Sequence, residues 1–326
     1  MAIFFKMNAK EAPAISQILK LAQKFNNFYL NGFHSNECLP FVIDGHQVGL
    51  IKPEVRKHLL SYPDIFTFQV NNTVHLNTSF HTYESRSKCL DQVLRELRTK
   101  NVFVALKGWR DECYEVKTRY TSEPLMKMER SATCLFGICN YGVDINGYIR
   151  HPEKGICIWL QKRSSTKQTW PGKWDNMVGG GLSTGYGVLE TAFKEAEEEA
   201  SVPSELMTNL TPCGSVSFFF ESERGLFPNT EFVFDLELPL NFEPKNKDGE
   251  VETFELLTVA DVLSRIQTPE FKTTSAPVVL DFLIRHGLIS TENERHLPEI
   301  IELLHVPLQT MYRFDSSTPA IENGRS

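Results

Sequence analysis

Residues 179–200 read GGGLSTGYGVLETAFKEAEEEA, a glycine-rich loop that runs directly into a segment dense with glutamates. A run such as KEAEEEA is ordinarily a solvated helix face, so the spacing of the acids has to be tested. On a wheel at about 100° per residue with Leu189 at zero, Leu189, Ala192, Phe193, Ala196 and Ala200 share an arc of about 100°, the expected core stripe. Glu195, Glu198 and Glu199 fall near about 240°, 180° and 280°, while Glu190 and Glu197 fall near about 100° and 80°. The first three, at i, i+3 and i+4, converge on one stripe, where like charges destabilise a helix by about 0.2–0.5 kcal/mol per pair. Lys194 is the only cation within the segment and cannot neutralise three carboxylates. A hard divalent cation prefers oxygen ligands and carries phosphates with it. The glycines at 179, 180, 181, 185 and 187 let a backbone approach a ligand closely. Loop and helix together therefore suit a hard divalent cation such as Mg²⁺ and its bound phosphates.

The rest of the composition narrows the class. The chain has 326 residues, 41% hydrophobic and 23% charged, which suits a folded, soluble protein of two domains. A formal net charge of −7 excludes a nucleic-acid backbone as the main partner, because such partners need clustered Lys and Arg. Seven cysteines are odd in number and form no CxxC pair, so reduced thiols and a cytoplasmic location are expected. Residues 1–15, MAIFFKMNAKEAPAI, show neither a secretory h-region nor an Arg-rich transit pattern. No apolar run approaches the roughly 18 residues of a membrane span, so no membrane partner is expected. Nine histidines show no HxxxH spacing, which argues against a His-zinc site.

Periodicity predicts an α/β (α+β) chain. In residues 1–125 it gives helices over 14–28, 53–60 and 87–100, a hairpin of 41–43 and 48–51 around the turn 44–47, and strands at 66–70 and 74–76. Turn formers at 121–124 suggest a linker. Beyond it, strands are expected at 132–140, 155–161, 213–220 and 231–238, and helices at 259–266, 274–286 and 298–304. The expectation is an N-terminal mixed α/β domain, 1–125, and a second domain, 126–326, ending in helices.

With Gly180 in first position, residues 180–202 resemble the box of the Nudix hydrolases, G-x5-E-x7-R-E-U-x-E-E-x-G-U, where U is aliphatic. The three metal-ligand glutamates of that box match Glu195, Glu198 and Glu199. The resemblance implies a Nudix α/β/α sandwich binding Mg²⁺ or Mn²⁺ through them, with the carbonyl of Gly179 or Gly180 as a further ligand and a small-molecule diphosphate as substrate. Tyr186, Lys194 and Ser201 replace the family's first glutamate, arginine and last glycine. The Tyr186 change is expected to alter loop geometry, Lys194 keeps charge without a planar fork, and Ser201 is expected to cost little. Gly45–Gly49, Gly108–Glu112, Phe136–Ile138 and Pro171–Val178 make the chain similar to the thiamine pyrophosphokinase-related branch, which carries an N-terminal domain of uncharacterised type. The resemblance implies conversion of thiamine diphosphate, or of its oxo and oxythiamine forms, to the monophosphate.

Other residues are weighed against it. The catalytic base is Glu198, or an acid of a later loop, with Glu250 first and Glu252 second. Trp174 and Trp159 either stack on a flat heterocycle or fill the core. Arg163, Lys162 and Lys173 are phosphate-contact candidates or exposed charges. Residues 109–112, WRDE, suit a domain interface or a specificity feature. An isopentenyl diphosphate isomerase reading lacks a cysteine in the needed context. Hydrolysis of another nucleoside or sugar diphosphate, and metabolite binding without catalysis, remain open.

Overall fold

The computed structural model describes residues 15–33, 35 and 37–312; the targeting reading of residues 1–15 falls almost wholly outside them. The first helix is two: α1 (Gln17–Lys24) and α2 (Asn27–Asn31). The break is at Asn26, which is buried, donates to the Leu303 carbonyl at 2.6 Å and accepts from the Phe219 N–H at 3.0 Å. Asn26 thereby ties the first two helices to the segments around Phe219 and Leu303. The apolar side of α1 packs with C-terminal helices, Leu19, Ala22 and Phe25 sharing a cluster with Phe282, Ile300 and Leu304.

The hairpin of β1 (Leu39–Ile43) and β2 (His46–Ile51) closes through Asp44 and Gly45, both at positive φ, as a two-residue hairpin turn demands. Then follow α3 (Pro53–Leu59), with proline in its first turn, β3 (Phe66–Phe68) and β4 (Val74–Leu76), which complete a sheet of order β2-β1-β4-β3. Helix α4 (Tyr83–Thr99) starts four residues earlier than expected, where Thr82 accepts the Ser85 N–H at 3.1 Å. Its Leu90, Val93, Leu94 and Leu97 share a core with Phe41, Ile43 and Phe66. The turn at 121–124 joins two paired strands, β5 (Cys113–Val116) and β6 (Met126–Glu129).

The strand expected at 132–140 is a 3₁₀ turn, Arg130–Leu135, and the strand begins where that expectation stopped, as β7 (Asn140–His151). Its Gly142, Asp144, Asn146 and Gly147 have low strand propensity, which hid it. Tertiary crowding favours those glycines: a Cβ at Gly142 would sit 2.0 Å from Glu231 Oε2, and one at Gly147 2.1 Å from Met177 Sδ, so either neighbour would have to shift. After β7 come β8 (Gly155–Arg163), β9 (Trp174–Asn176), β10 (Val178–Gly181), α5 (Val188–Ala200), α6 (Ser204–Met207), β11 (Thr211–Ser222), β12 (Gly225–Glu237) and β13 (Val251–Thr258). Helices α7 (Val259–Ile266), α8 (Ala276–Arg285), α9 (Leu297–Leu303) and α10 (Leu308–Met311) follow.

The second sheet runs β11-β12-β7-β8-β13, with β10 paired to β7 and β9 to β8; β12 lies parallel to β7. Alternation along the strands gives it two apolar faces. Val143, Ile145 and Phe234 pack with Ala192, Ala196 and Ala200 of α5, whereas Tyr148, Ile158 and Val233 pack with α7, α8 and α9. The result is the expected α/β/α sandwich. Among the described residues no helix is long and apolar enough to cross a membrane.

Candidate active site

The glycine loop and the glutamate helix meet as expected, but the helix is turned from its expected orientation. Leu189 and Phe193, assigned to the core stripe, are 59% and 44% exposed, and the buried face is Thr191, Ala192, Ala196, Glu199 and Ala200. Three alanines let α5 lie close against β7 and β10, so one glutamate is carried into the packed face along with them. Glu199 is 1% exposed, and its Oε2 accepts the Gly179 N–H at 3.0 Å and the Gln161 amide at 3.0 Å. Burial pushes its carboxyl up; the nearby Lys167 ammonium works against that and is itself pushed down by burial. Glu195 leans on the loop, where a Cβ at Gly180 would come within 2.4 Å of its Cγ, so glycine is required there.

Lys194 contributes more than the wheel suggested. Its ammonium sits 3.3 Å from Glu195 Oε1 and 3.1 Å from Glu198 Oε2, and 6.0 Å from the Tyr186 ring centroid. Two departures from the family pattern thus touch one another. The third, Ser201, takes the left-handed conformation (φ 50°) that favours glycine, at a cost of about 1–2 kcal/mol. The expectation that serine costs little there assumed an ordinary backbone. The hydroxyl offsets part of that by donating to the Lys245 carbonyl at 2.7 Å.

Among the described residues no three His, Cys, Asp or Glu groups stand ready-gathered around a metal position. The donor chemistry nonetheless fits a hard divalent cation. Glu195 and Glu198 already share one cation, the Lys194 ammonium, and Glu195 and Glu199 bring carboxylate groups against Gly180 and Gly179.

These groups open on a cavity of about 730 Å³. Glu195, Glu198, Gly179 and Glu250 line it, with Glu199 held behind the loop; Glu250 is ion-paired with Lys167. Arg163 also lines it, but its guanidinium is engaged by Asp175 Oδ2 at 2.9 Å and by the carbonyls of Thr169 and Trp170. Lys173 stands outside the wall, donating to the Pro269 carbonyl at 2.7 Å. Trp174 is core, with Arg265 stacked 4.3 Å over its ring, and Trp159 packs in the cluster under α5. Lys162 and Glu252 pair with each other at 2.9 Å, also off the wall.

Several wall residues carried no readable signal. On the parallel strands β7 and β12, Asn140 stands opposite Asn229, and Asp144 and Glu231 lie two or four residues further on the same face. The four form an acceptor-rich floor. The Asn140 and Asn229 side-chain oxygens have no hydrogen-bond partner, and burial pushes the Asp144 and Glu231 carboxyls up. The opposite wall comes from the N-terminal half, through Trp109, Arg110, Glu112, Tyr114 and Arg130. That half grips the loop: Glu112 accepts from the Ser183 hydroxyl, the Cys113 carbonyl accepts the Thr184 N–H at 2.9 Å, and a Cβ at Gly181 would fall 1.7 Å from the Tyr114 hydroxyl. The segment 109–112 is therefore a domain-interface feature. Its pairing with the loop, some 70 positions away, has no periodic signature.

Comparison with known proteins agrees with this architecture. Residues 17–140 match a family described as a domain of unknown function (DUF4743), and residues 141–282 match the NUDIX domain. The chain is 37% identical over 263 residues to Nudix hydrolase 24, chloroplastic, of Arabidopsis thaliana, covering 80% of this chain and 71% of that protein. It is 35% identical to Nudix hydrolase 20, chloroplastic, of the same plant, covering 86% and 77%. A Saccharomyces cerevisiae relative, uncharacterized protein YJR142W, is 33% identical, with 82% and 83% covered.

Proposed function

This chain belongs to the Nudix hydrolase family and is a pyrophosphohydrolase, and from that premise we propose that its cavity cleaves the diphosphate of thiamine diphosphate, or of its oxo and oxythiamine analogues, to the monophosphate and phosphate. The observation that carries the reading is one cavity in which the carboxylate helix and glycine loop adjoin an acceptor-rich floor, Asp144 standing opposite Gly179. The first suits a diphosphate. The second, with the Asp144 and Glu231 carboxyls on it, suits a flat heterocycle presenting N–H edges. Trp109, Trp170 and Tyr141 on the wall offer faces for such a ring.

Nudix hydrolases use divalent metal ions. Here Glu195, Glu198 and Glu199 with the loop carbonyl of Gly179 or Gly180 would hold Mg²⁺ or Mn²⁺, which supplies charge neutralisation on the phosphates and a more acidic water. In the proposed reaction, a water oxygen bonds to phosphorus as the bridging P–O bond breaks, and the water proton passes to a carboxylate. Glu198, beside the loop and on the wall, is the base we favour. Glu250 is the alternative, although its ion pair with Lys167 makes it a weaker acceptor. Arg163 acts through its engaged guanidinium by holding the 169–170 loop in place. Two modules divided between about residues 125 and 140, and a cytoplasmic location, complete the proposal; fractionation of cells expressing the tagged full-length chain tests the latter.

The substrate is tested by phosphate release from thiamine diphosphate, its oxo and oxythiamine forms, ADP-ribose and a nucleoside triphosphate. Highest kcat/KM on a thiamine-type compound supports the reading. Turnover confined to the last two compounds would leave the hydrolase and discard the thiamine substrate.

A further inference from the structure

The wall contributed by the N-terminal module carries a charge pattern that the family's box does not explain. Most cations facing the cavity are already engaged: Arg130 with Glu112 at 2.6 Å, Lys272 with Asp175 at 3.0 Å, Lys167 with Glu250. Arg98, Arg110 and Arg224 line it with no carboxylate in ion-pair distance among the described residues; Arg98 and Arg224 lie over the rings of Trp109 and Phe227, whereas Arg110, half-buried, has no ring beneath it. One guanidinium N–H, on Nη2, donates to the Thr169 hydroxyl at 3.0 Å. A guanidinium has five such donors, so the greater part of its fork is unspent. Burial, together with neighbouring Arg130, pushes its pKa down to about 10. A half-buried cation placed among other cations is unfavourable unless an anion joins it.

Its placement is built rather than incidental. Arg110 is anchored at its own N–H, which donates to Glu129 Oε1 at 3.2 Å, and its flanking side chains are joined, the Trp109 indole donating to Asp111 Oδ1 at 2.8 Å. The next residues, Glu112 and Cys113, hold Ser183 and Thr184 of the glycine loop, so Arg110 is registered to the same loop that leads into the carboxylate helix.

We propose that Arg110 is the diphosphate-binding arginine of this enzyme, and that the N-terminal module serves the hydrolase by delivering it. A planar fork facing phosphate oxygens makes bidentate, charge-assisted hydrogen bonds. The module thereby supplies the cationic half of a diphosphate clamp whose metal-bearing half lies on the carboxylate helix. The inference deepens the hydrolase reading and rests on it.

The test uses full-length protein, with methylenediphosphonate, a diphosphate analogue resistant to hydrolysis, titrated calorimetrically in Mg²⁺, and with steady-state kinetics on the best substrate of the panel. Losing hydrogen bonds to a charged group corresponds to about a ten- to hundredfold weakening. R110Q is expected to weaken analogue binding and raise KM by that factor with kcat within a few-fold, and R110K, which keeps charge without the fork, is expected to fall between. Should R110Q melt early, R110K carries the comparison, since charge and stem are retained. Wild-type Kd and KM in both variants, with turnover intact, would overturn the role of Arg110 and leave the hydrolase standing. A wild-type protein that neither binds the analogue nor hydrolyses any diphosphate would overturn both.

Discussion

Replacing Asp175 with asparagine should be among the most damaging single changes in the described structure. Its carboxylate is fully buried and takes four donors: Oδ1 accepts the Asn176 N–H at 2.9 Å and the Ser275 hydroxyl at 2.5 Å, and Oδ2 accepts Arg163 at 2.9 Å and Lys272 at 3.0 Å. Lys272 and Arg163 together outweigh the penalty of burial and hold its pKa at about 2, below the ordinary 3.8. That difference corresponds to about 2 kcal/mol for charge alone. The amide also points donors at donors and strands two cations, so the loss should approach the about 3–5 kcal/mol of a broken buried ion pair. At about 2–4 °C per kcal/mol for a cooperative unit of about 150–250 residues, the size of the second module, the Asp175→Asn midpoint of that module should fall by at least about 6 °C in a thermal melt at pH 7. A depressed carboxylate pKa contributes stability above the unfolded value and loses it as pH falls through the folded one. Wild type should therefore lose about 2 kcal/mol between about pH 4 and pH 2, and the variant should lack that component of the acid transition. A midpoint shift under about 2 °C, or an unchanged acid transition, would refute the assignment.

Three further outcomes follow from particular contacts. Gly49→Ala places a Cβ 2.1 Å from the Phe136 carbonyl oxygen; backbone on backbone cannot yield cheaply, and urea unfolding should show a loss of about 1–3 kcal/mol. Gly181→Ala drives the Tyr114 ring out of the loop contact, so kcat/KM should fall about tenfold or more while the melting midpoint shifts little, as expected when catalytic geometry is displaced. Lys173→Ala should leave KM unchanged, because Lys173 stands off the cavity wall and donates to Pro269; a KM rise above about threefold would return it to the site.

The legibility of this chain divides along physical lines. Glu195, Glu198, Glu199 and the glycines before them were readable because their relation is local, set by helical repeat and chain continuity. The Asp44-Gly45 hairpin and α7 were readable for the same reason. Strand β7 was not, since its Gly142 and Gly147 answer to Glu231 and Met177 rather than to strand propensity. The tilt of α5 was missed because a wheel ranks side chains by hydrophobicity, whereas here small size let alanines approach β10 and Glu199 found the Gly179 N–H and Gln161 as partners. For Trp174 the sequence left ring stacking and core packing open, and the fold puts it in the core beneath Arg265 although it stands beside the loop in sequence. Arg110 and the floor of Asn140, Asp144, Asn229 and Glu231 depend on inter-module packing and strand register, which one sequence does not print.

The most direct test of the central claim is Mg²⁺-dependent phosphate release from the best substrate by wild type and Glu198→Gln, each before and after metal removal with EDTA. The account predicts wild-type turnover that EDTA abolishes and added Mg²⁺ restores, and a folded Glu198→Gln protein slower by about 100-fold or more. Full turnover in Glu198→Gln, or wild-type turnover that survives EDTA, would contradict it.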